Sequence, residues 1–439
     1  MPPLNEAQAR ELMSRALKLS KAEACEINIG GNSGGNIRYA RNSVSTAGAT
    51  EDSPLVAQSF FGKRSGTATA NQFDDATIER TIRQSEELAR LAPEDPEAMM
   101  PLGPQTYTPV PAAFSDNTAG ITPEYRAKVA EASIGPAKEA GCVAAGFLQD
   151  NAGWSAMANS AGLFAYHRQT GVNFSVTMRT EDGTGSGYVE RDYNDVGKFD
   201  SGASSRIATQ KAAASREAKA IEPGKYTVIL EPTAAVELIQ PLVFSLGARQ
   251  ADEGRSPLSK AGGGTRLGEK LVDEAVTITS DPNNADAPGS PWAGDGRPFV
   301  PTTWIEKGVV KNLFYSRYWA EKQGKPATNF PANILMAGGS ASLEELIKDT
   351  ARGVLVTRFW YIRFVDPQTL LLTGLTRDGT FYIENGQIKH AIKNFRFNES
   401  PIIMLNNVDA LGKPERAQGG MIPPMRVRDF TFTSLSDAV

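Results

Sequence analysis

Apolar positions along the first half of the chain follow a helical period in some stretches and a strand-like period in others. Residues 5–20 carry an apolar stripe behind Asn5, which predicts an amphipathic helix. Residues 25–29 alternate as in a half-buried strand, and the glycine-rich run 30–36 is interpreted as a loop leading to a strand near 37–47. Further helices are predicted at about 74–92, 122–140 and 200–220. Between 143 and 191 we predict short antiparallel strands with turns at 151–153, 160–162 and 181–183.

The second half of the chain is richer in β-branched and aromatic runs, which favour strands. We predict strands near 225–231, 271–279, 299–306, 309–314, 354–365, 370–376, 379–384, 387–397 and 425–433. Glu222-Pro223-Gly224 interrupts the pattern and predicts a domain boundary, with domains at 1–222 and 223–439. The expected fold class is α+β. Its N-terminal domain combines helices with an antiparallel sheet, and its C-terminal domain is strand-rich and either barrel-like or a sandwich.

One segment of the second half is apolar on nearly all sides. Residues 232–248, PTAAVELIQPLVFSLGA, therefore predict a buried helix. Pro241 is expected to kink or restart it, because a proline inside a helix removes a backbone hydrogen bond and clashes with the preceding turn. The sequence does not decide between these two outcomes. The charged segment 249–255 follows and is interpreted as a loop.

The amino-acid composition argues against several classes of function. Lysine and arginine number 46 against 50 acidic residues, and this balance lacks the basic excess of a nucleic-acid-binding protein. The two cysteines, Cys25 and Cys142, cannot build a disulfide framework, and we interpret them as buried thiols. The first residues resemble no signal peptide, and no apolar run approaches the length of a membrane span. We therefore expect a cytoplasmic protein without a membrane or nucleic-acid partner.

Two glycine-rich motifs resemble functional motifs but do not indicate a catalytic or nucleotide-binding site. Residues 31–35 match G-x-S-x-G by letter, but a nucleophile elbow requires a strand, a sharp turn and a helix, and a strand is predicted to follow here. Residues 260–266 are neither a P-loop nor a dinucleotide fingerprint, and a mobile loop is the better interpretation.

Several polar residues are candidates for binding a substrate or a partner. Arg249, Asp252, Glu253 and Arg255 follow the buried helix. They are interpreted either as a salt-bridge cluster in a loop or as the polar rim of a substrate chamber. Arg358 and Tyr361 lie in the run 354–365, where strand alternation places Phe359, Tyr361 and Arg363 on one face. That face either packs in a core or belongs to an edge strand that adds an extended peptide through main-chain hydrogen bonds.

Longer segments of the second half resemble the TldD/PmbA family, which is also called the modulator of DNA gyrase family. These segments are 251–258 (ADEGRSPL), 268–282 (GEKLVDEAVTITSDP), 308–325, 352–367 and 373–399. The resemblance covers most of the chain and is strongest after residue 220. It implies relationship to a TldD/TldE metalloprotease that acts on unfolded peptides.

The resemblance also implies which branch of the family is present. In the TldD branch the buried helix carries His-Glu-x-x-x-His, which supplies two zinc ligands and a general base. The matching positions here are Gln240, Pro241 and Ser245, and none of them can replace imidazole or a carboxylate base. The chain is therefore expected to be a metal-free, TldE/PmbA-like subunit without catalytic residues or cofactor of its own. Zinc is expected in a TldD-like partner subunit.

Three functions follow as hypotheses. The first is a dimer in which this chain holds an unfolded peptide while the TldD-like subunit cleaves it. The second is a homodimer that binds peptides without catalysis. The third is an independent hydrolase with an unrecognised carboxylate site. The two histidines, His167 and His390, lie in different halves and are interpreted as ordinary surface or sheet positions.

Overall fold

A computed structural model describes residues 4–436. Helices α1 to α10 span Glu6–Leu19, Asp75–Leu91, Asp116–Ala119, Pro123–Glu139, Ser201–Ala214, Pro232–Phe244, Ala248–Asp252, Arg317–Gln323, Leu343–Lys348 and Pro401–Asn406. Strands β1 to β10 span Ala24–Ala40, Ser43–Asp52, Leu55–Phe61, Arg64–Ala70, Cys142–Asn159, Phe164–Thr180, Ser186–Tyr193, Lys225–Leu230, Ile278–Ser280 and Thr302–Glu306. Strands β11 to β20 span Val309–Val310, Leu335–Met336, Arg352–Asp366, Leu371–Glu384, Gln387–Ala391, Phe395–Glu399, Val408–Leu411, Glu415–Ala417, Gly420–Ile422 and Met425–Leu435.

Residues 4–222, here called the N-terminal half, are organised around one antiparallel sheet. Its strand order is β4-β3-β1-β5-β6-β7, and β2 pairs with the outer part of β1. Helices α1 and α2 pack with Met13, Ile27 and Ile82 in one core cluster. Helices α4 and α5 cover another part of the sheet, where Val129 and Leu148 are buried. Gly187 of β7 allows close approach of α5, since a Cβ atom there would overlap the helix backbone.

The interpretation of 30–36 as a loop is wrong. Strand β1 continues through it to Ala40, and only then does a tight turn lead into β2, so the strand predicted near 37–47 is divided by a turn at 41–42. The glycines serve close packing, because a Cβ at Gly31 would overlap the ring of Trp154 and one at Gly34 would overlap the backbone of Asp150. Both neighbours belong to β5, which is distant along the chain. Local sequence patterns therefore could not predict this close packing.

Other boundaries also need correction. The turn predicted at 151–153 is absent, since β5 runs unbroken from Cys142 to Asn159 along β6. The turns at 160–162 and 181–183 are confirmed. Helix α5 ends at Ala214 instead of near 220, and the strand predicted at 271–279 is reduced to Ile278–Ser280.

Residues 223–436, the C-terminal half, contain a closed barrel and a smaller sheet. The barrel order is β13-β8-β20-β16-β14, and β14 pairs with β13 to close it. The second sheet has the order β11-β10-β9-β12-β19-β18. The α+β class and the barrel-like C-terminal half are thus confirmed, while the domain division at 222/223 stays a prediction. Across residues 4–436, no helix is long and apolar enough to cross a membrane.

The predicted buried helix is α6, and it is shorter than expected. It runs through Pro241, ends at Phe244 and packs in the largest core cluster with barrel residues such as Val228 and Val356. The end at 248 is wrong because Ser245 terminates the helix, and its hydroxyl donates to the carbonyl of Pro241 at 2.7 Å. The segment 249–255 is not simply a loop, since α7 spans Ala248–Asp252.

Candidate functional site

A chamber of about 610 Å³ lies between the two halves of the molecule. Strand β7 of the N-terminal half contributes Tyr188 and Glu190, and α6 contributes Thr233 and Glu237. Residues 358–363 of β13 form another wall, and Gln418, in the turn between β18 and β19, completes the lining. The chamber therefore gathers side chains from segments that are far apart in sequence.

Helix α6 contributes Thr233 and Glu237 to this chamber, and a chain of hydrogen bonds connects Glu237 to Gln240, which lies outside the lining. The amide of Gln240 donates to Gln418 Oε1 at 3.1 Å, and Gln418 Nε2 donates to Glu237 Oε1 at 3.0 Å. Pro241 and Ser245 do not line the chamber. An amide, a proline and a hydroxyl are not the donor set of a zinc site. Within residues 4–436, no group of three or more His, Cys, Asp or Glu side chains has the geometry to hold a metal ion.

The chamber lining contains the carboxylates of Glu190 and Glu237 together with the guanidinium groups of Arg358 and Arg363. Burial raises the pKa of Glu190, the hydroxyl of Tyr188 lowers it by donating to Oε2 at 3.1 Å, and the charge of Glu237 raises it further. Burial also raises the pKa of Tyr188, which keeps the phenol protonated. The walls can therefore accept hydrogen bonds from peptide N–H groups, and Glu190 is poised to exchange a proton nearer to neutral pH than an ordinary glutamate.

Arg358, a predicted site residue, forms part of the chamber wall and also joins the two halves. Its guanidinium pairs with the buried carboxylate of Asp378 in β14. It also lies 3.7 Å from the ring centroid of Tyr188 in β7. Ser186, also in β7, donates its hydroxyl to the same aspartate. The charge of Arg358 is thus held inside the protein and is not freely available to a substrate.

Tyr361 lies on the chamber rim, but the predicted alternation of its strand is wrong. Phe359 is 3% exposed whereas Tyr361 is 61% exposed. The reason is a bulge, since the pairing with β14 shifts between Trp360 and Arg363 and Tyr361 adopts a φ of 57°. Residues 354–356 of β13 pair with both β8 and β14, whereas residues 358–366 pair with β14 alone among the described strands. The outer part of β13 is therefore an edge.

Comparison with known proteins identifies the family. A sequence profile of the PmbA/TldA metallopeptidase C-terminal domain matches residues 223–434, and a profile of the central domain matches residues 121–217. The chain belongs to the PmbA/TldD family.

Individual relatives agree with this family assignment. Metalloprotease PmbA of Escherichia coli O157:H7 is 22% identical over 420 residues, which is 92% of this chain and 90% of the relative. A metalloprotease of Methanothermobacter thermautotrophicus is 26% identical over 289 residues, or 60% of each chain. The crystal structure of TldE from Thermococcus kodakarensis shares the fold, with a TM-score of 0.88 and 18% identity over 97% of this chain and 99% of that chain.

In this PmbA/TldD-family chain the other predicted site residues lie outside the chamber lining. Arg249 binds both carboxylate oxygens of Glu97 at 2.7 and 2.9 Å and tethers the linker before α3. Asp252 accepts a hydrogen bond from Trp319 Nε1 at 2.7 Å. Glu253 lies between Arg249 and Arg255 and forms ion pairs with both. The structure joins Arg249, Glu253 and Arg255 in a salt-bridge cluster, whereas Asp252 is bound by Trp319. Of the predicted site residues, only Arg358 and Tyr361 line the chamber.

The sequence interpretation missed the polar residues that characterise this PmbA/TldD-family chamber. Glu237 carried a signal, because it is the lone charged residue within the apolar helix Pro232–Phe244. Glu190 and Gln418 carried none, since their proximity depends on how β7 and the β18–β19 turn pack against α6. Neither histidine lines the chamber. His167 is buried in β6, where burial lowers its pKa to about 4 and Nε2 has no hydrogen-bond partner among the described residues.

Proposed function

We propose that this chain is a metal-free, TldE-like subunit of a TldD/TldE-type peptidase complex that acts on unfolded peptides. The observation that carries the proposal is the hydrogen-bond chain of α6, in which the amide of Gln240 donates to Gln418 and Gln418 donates to the chamber carboxylate of Glu237. Zinc and the general base belong to a TldD-like homologous subunit. The relatives named metalloprotease and TldE support this assignment.

The part played by this chain is to hold the peptide. Glu190 and Glu237 accept hydrogen bonds from peptide N–H groups, and Trp360 and Tyr361 cover peptide side chains at the rim. The outer edge of β13 offers main-chain hydrogen bonds that tolerate many sequences. The bulge at Tyr361 divides that edge, so we expect only a short length of peptide to pair with it. Correct positioning alone accounts for a large share of many rate enhancements.

The test compares the chain purified alone with the chain co-expressed with the His-Glu-x-x-x-His-bearing homologue of the same organism. We expect the chain alone to hold negligible zinc and to leave reduced, carboxymethylated casein intact. The two chains together should co-purify, hold zinc and cleave the substrate. Near-stoichiometric zinc in the chain alone, or failure of the pair to associate, would contradict the proposal.

Point variants locate the peptide site within the complex. Glu237→Gln keeps the shape of the side chain but removes a charge from the chamber, and we expect it to raise KM for casein cleavage. Glu274→Gln is the matched control, since Glu274 is exposed and lies outside the chamber lining. Equal KM values for the two variants would exclude Glu237 from peptide binding.

A second candidate function is hydrolysis by this chain itself. Its support is the pair of carboxylates in one chamber, of which Glu190 has a raised pKa. This hypothesis predicts casein cleavage by the chain alone that resists EDTA and is lost in Glu190→Gln. A homodimeric binding protein predicts peptide binding by the chain alone, with no cleavage in any combination.

A further inference from the structure

A second cavity adjoins the chamber on the other side of β7. Its volume is about 510 Å³, which lies in the usual range for small-ligand sites. Tyr188, Glu190 and Thr233 line both cavities, so the two spaces meet at these three side chains. Like the chamber, it lies at the junction of the two halves, a common place for binding sites.

Apolar side chains from both halves form the walls of this cavity, here called the apolar pocket. Ile207 of α5 and Ile388 of β15 remain 38% and 44% exposed. Leu355 and Phe381 of the barrel are buried and form its floor. Covering the exposed isoleucines with another apolar group is favourable, because burial of apolar surface contributes roughly 25 cal/mol per Å².

The charged groups of the apolar pocket do not favour an acidic ligand. Its basic side chains are engaged within the protein: Lys211 with Glu231 at 2.7 Å, Arg416 with Asp192 at 2.9 Å, and Arg191 with the carbonyl of Glu190 at 2.8 Å. Glu344 and Glu415 add carboxylates to the lining. A negatively charged group would therefore meet the carboxylates of Glu344 and Glu415, while Lys211 and Arg416 are already neutralised by ion pairs.

We propose that the apolar pocket binds an uncharged apolar side chain, of leucine or phenylalanine size, from a peptide whose main chain lies in the chamber. The side chain passes Tyr188 and packs between Ile207 and Ile388. This inference rests on the proposed function, because it assigns a side-chain preference to the same peptide site. It predicts that peptide selection depends on one apolar residue, while main-chain contacts stay independent of sequence.

The test measures fluorescence anisotropy of a short fluorescein-labelled Gly-Ser peptide that carries a single leucine. The comparison peptide carries aspartate at that position. We expect the leucine peptide to bind about tenfold to a hundredfold more tightly, the range that burial of a leucine side chain allows. Both the chain alone and the co-purified complex are titrated, so that the result does not depend on cleavage.

Matched variants distinguish binding in the apolar pocket from nonspecific hydrophobic binding elsewhere on the surface. Ile388→Asp places a charge in the pocket, whereas Ile403→Asp places one at a similarly exposed isoleucine on α10 (54% exposed). We expect Ile388→Asp to abolish the preference for leucine and Ile403→Asp to retain it. Ile207→Ala, which adds no charge, should reduce the preference and guards against a folding defect in Ile388→Asp.

The outcomes distinguish this inference from the proposed function. Equal affinity for the two peptides, no binding of either peptide, or an unchanged preference in Ile388→Asp and Ile207→Ala would overturn the apolar pocket. If the complex still cleaves casein, the proposed function stands without it. A leucine preference that Ile388→Asp removes, in a chain that never associates with a zinc-bearing homologue, would support the pocket and refute the complex.

Discussion

Replacing Arg358 with methionine removes the charge that links the two halves of the molecule while keeping most of the side-chain stem. In the folded protein the Asp378 side chain is 1% exposed and that of Arg358 is 16% exposed, so the pair is shielded from water. The substitution leaves the carboxylate of Asp378 with Ser186 as a hydrogen-bond donor and Arg377 Nε at 3.7 Å. It also removes the cation–π contact with Tyr188.

The magnitude follows from these contacts. Breaking a buried ion pair by removing one partner costs about 3–5 kcal/mol, and the lower end applies because Ser186 and Arg377 remain near the carboxylate. Loss of a largely desolvated cation–π contact adds about 1 kcal/mol. We therefore expect Arg358→Met to lower the free energy of unfolding by about 4 kcal/mol, nearly a thousandfold in the equilibrium between folded and unfolded chains.

The assay is urea unfolding followed by circular dichroism, together with limited proteolysis of the segment 215–224 between the two halves. Arg363→Met is the control, because Arg363 is an exposed arginine on the same strand. Its guanidinium lies over the exposed ring of Tyr361 and donates to the carbonyl of Ile362. Its effect should stay within about 0.5 kcal/mol. If Arg358→Met costs less than about 1 kcal/mol, or no more than Arg363→Met, the ion pair with Asp378 and the contact with Tyr188 do not stabilise the junction of the halves.

Further predictions concern pH, close packing and the surface cluster. Burial lowers the pKa of His167 from 6.5 to about 4. Between these pH values the imidazole of His167 is therefore protonated in the unfolded chain and neutral in the folded protein. Stability is therefore complete above about pH 6.5 and falls by about 3 kcal/mol toward pH 4, and His167→Leu should flatten this part of the Tm-versus-pH profile. Gly187→Ala should lower Tm strongly by displacing α5, whereas Gly135→Ala, in an open position of α4, should stabilise by about 0.5–1 kcal/mol. Glu97→Gln weakens a half-exposed ion pair with Arg249, and chemical denaturation should show a much smaller loss of stability than Arg358→Met causes.

Local sequence signals were sufficient where a segment's own neighbours determine its structure. Asn5 caps α1 through a capping box, and α6 is buried as its apolar composition predicts. The sequence failed where the partner lies on a distant strand. The glycines of 30–36 form a strand because β5 packs closely against them, and the bulge at Tyr361 becomes visible only when β13 is paired with β14.

The candidate site divides in the same way. The resemblance correctly identified the family, because that information is carried by consecutive residues. The chamber forms only where β7, α6, β13 and the turn at Gln418 pack together. Hydrophobic periodicity along the sequence does not predict this long-range packing. The cluster around Arg249 looked equally promising, yet its charges satisfy one another.

The burial of α6 has a consequence for how a peptide enters. Seven of its side chains are buried in the main core, so the helix cannot shift without disrupting the barrel. The outer half of β13, in contrast, is held on one edge by β14 and carries exposed aromatic side chains. We therefore expect the α6 wall of the chamber to be rigid and the β13 wall to move. Movement of the outer half of β13 would then control the entry of a peptide. Amide hydrogen exchange should then be slow throughout α6 and fast in residues 360–366.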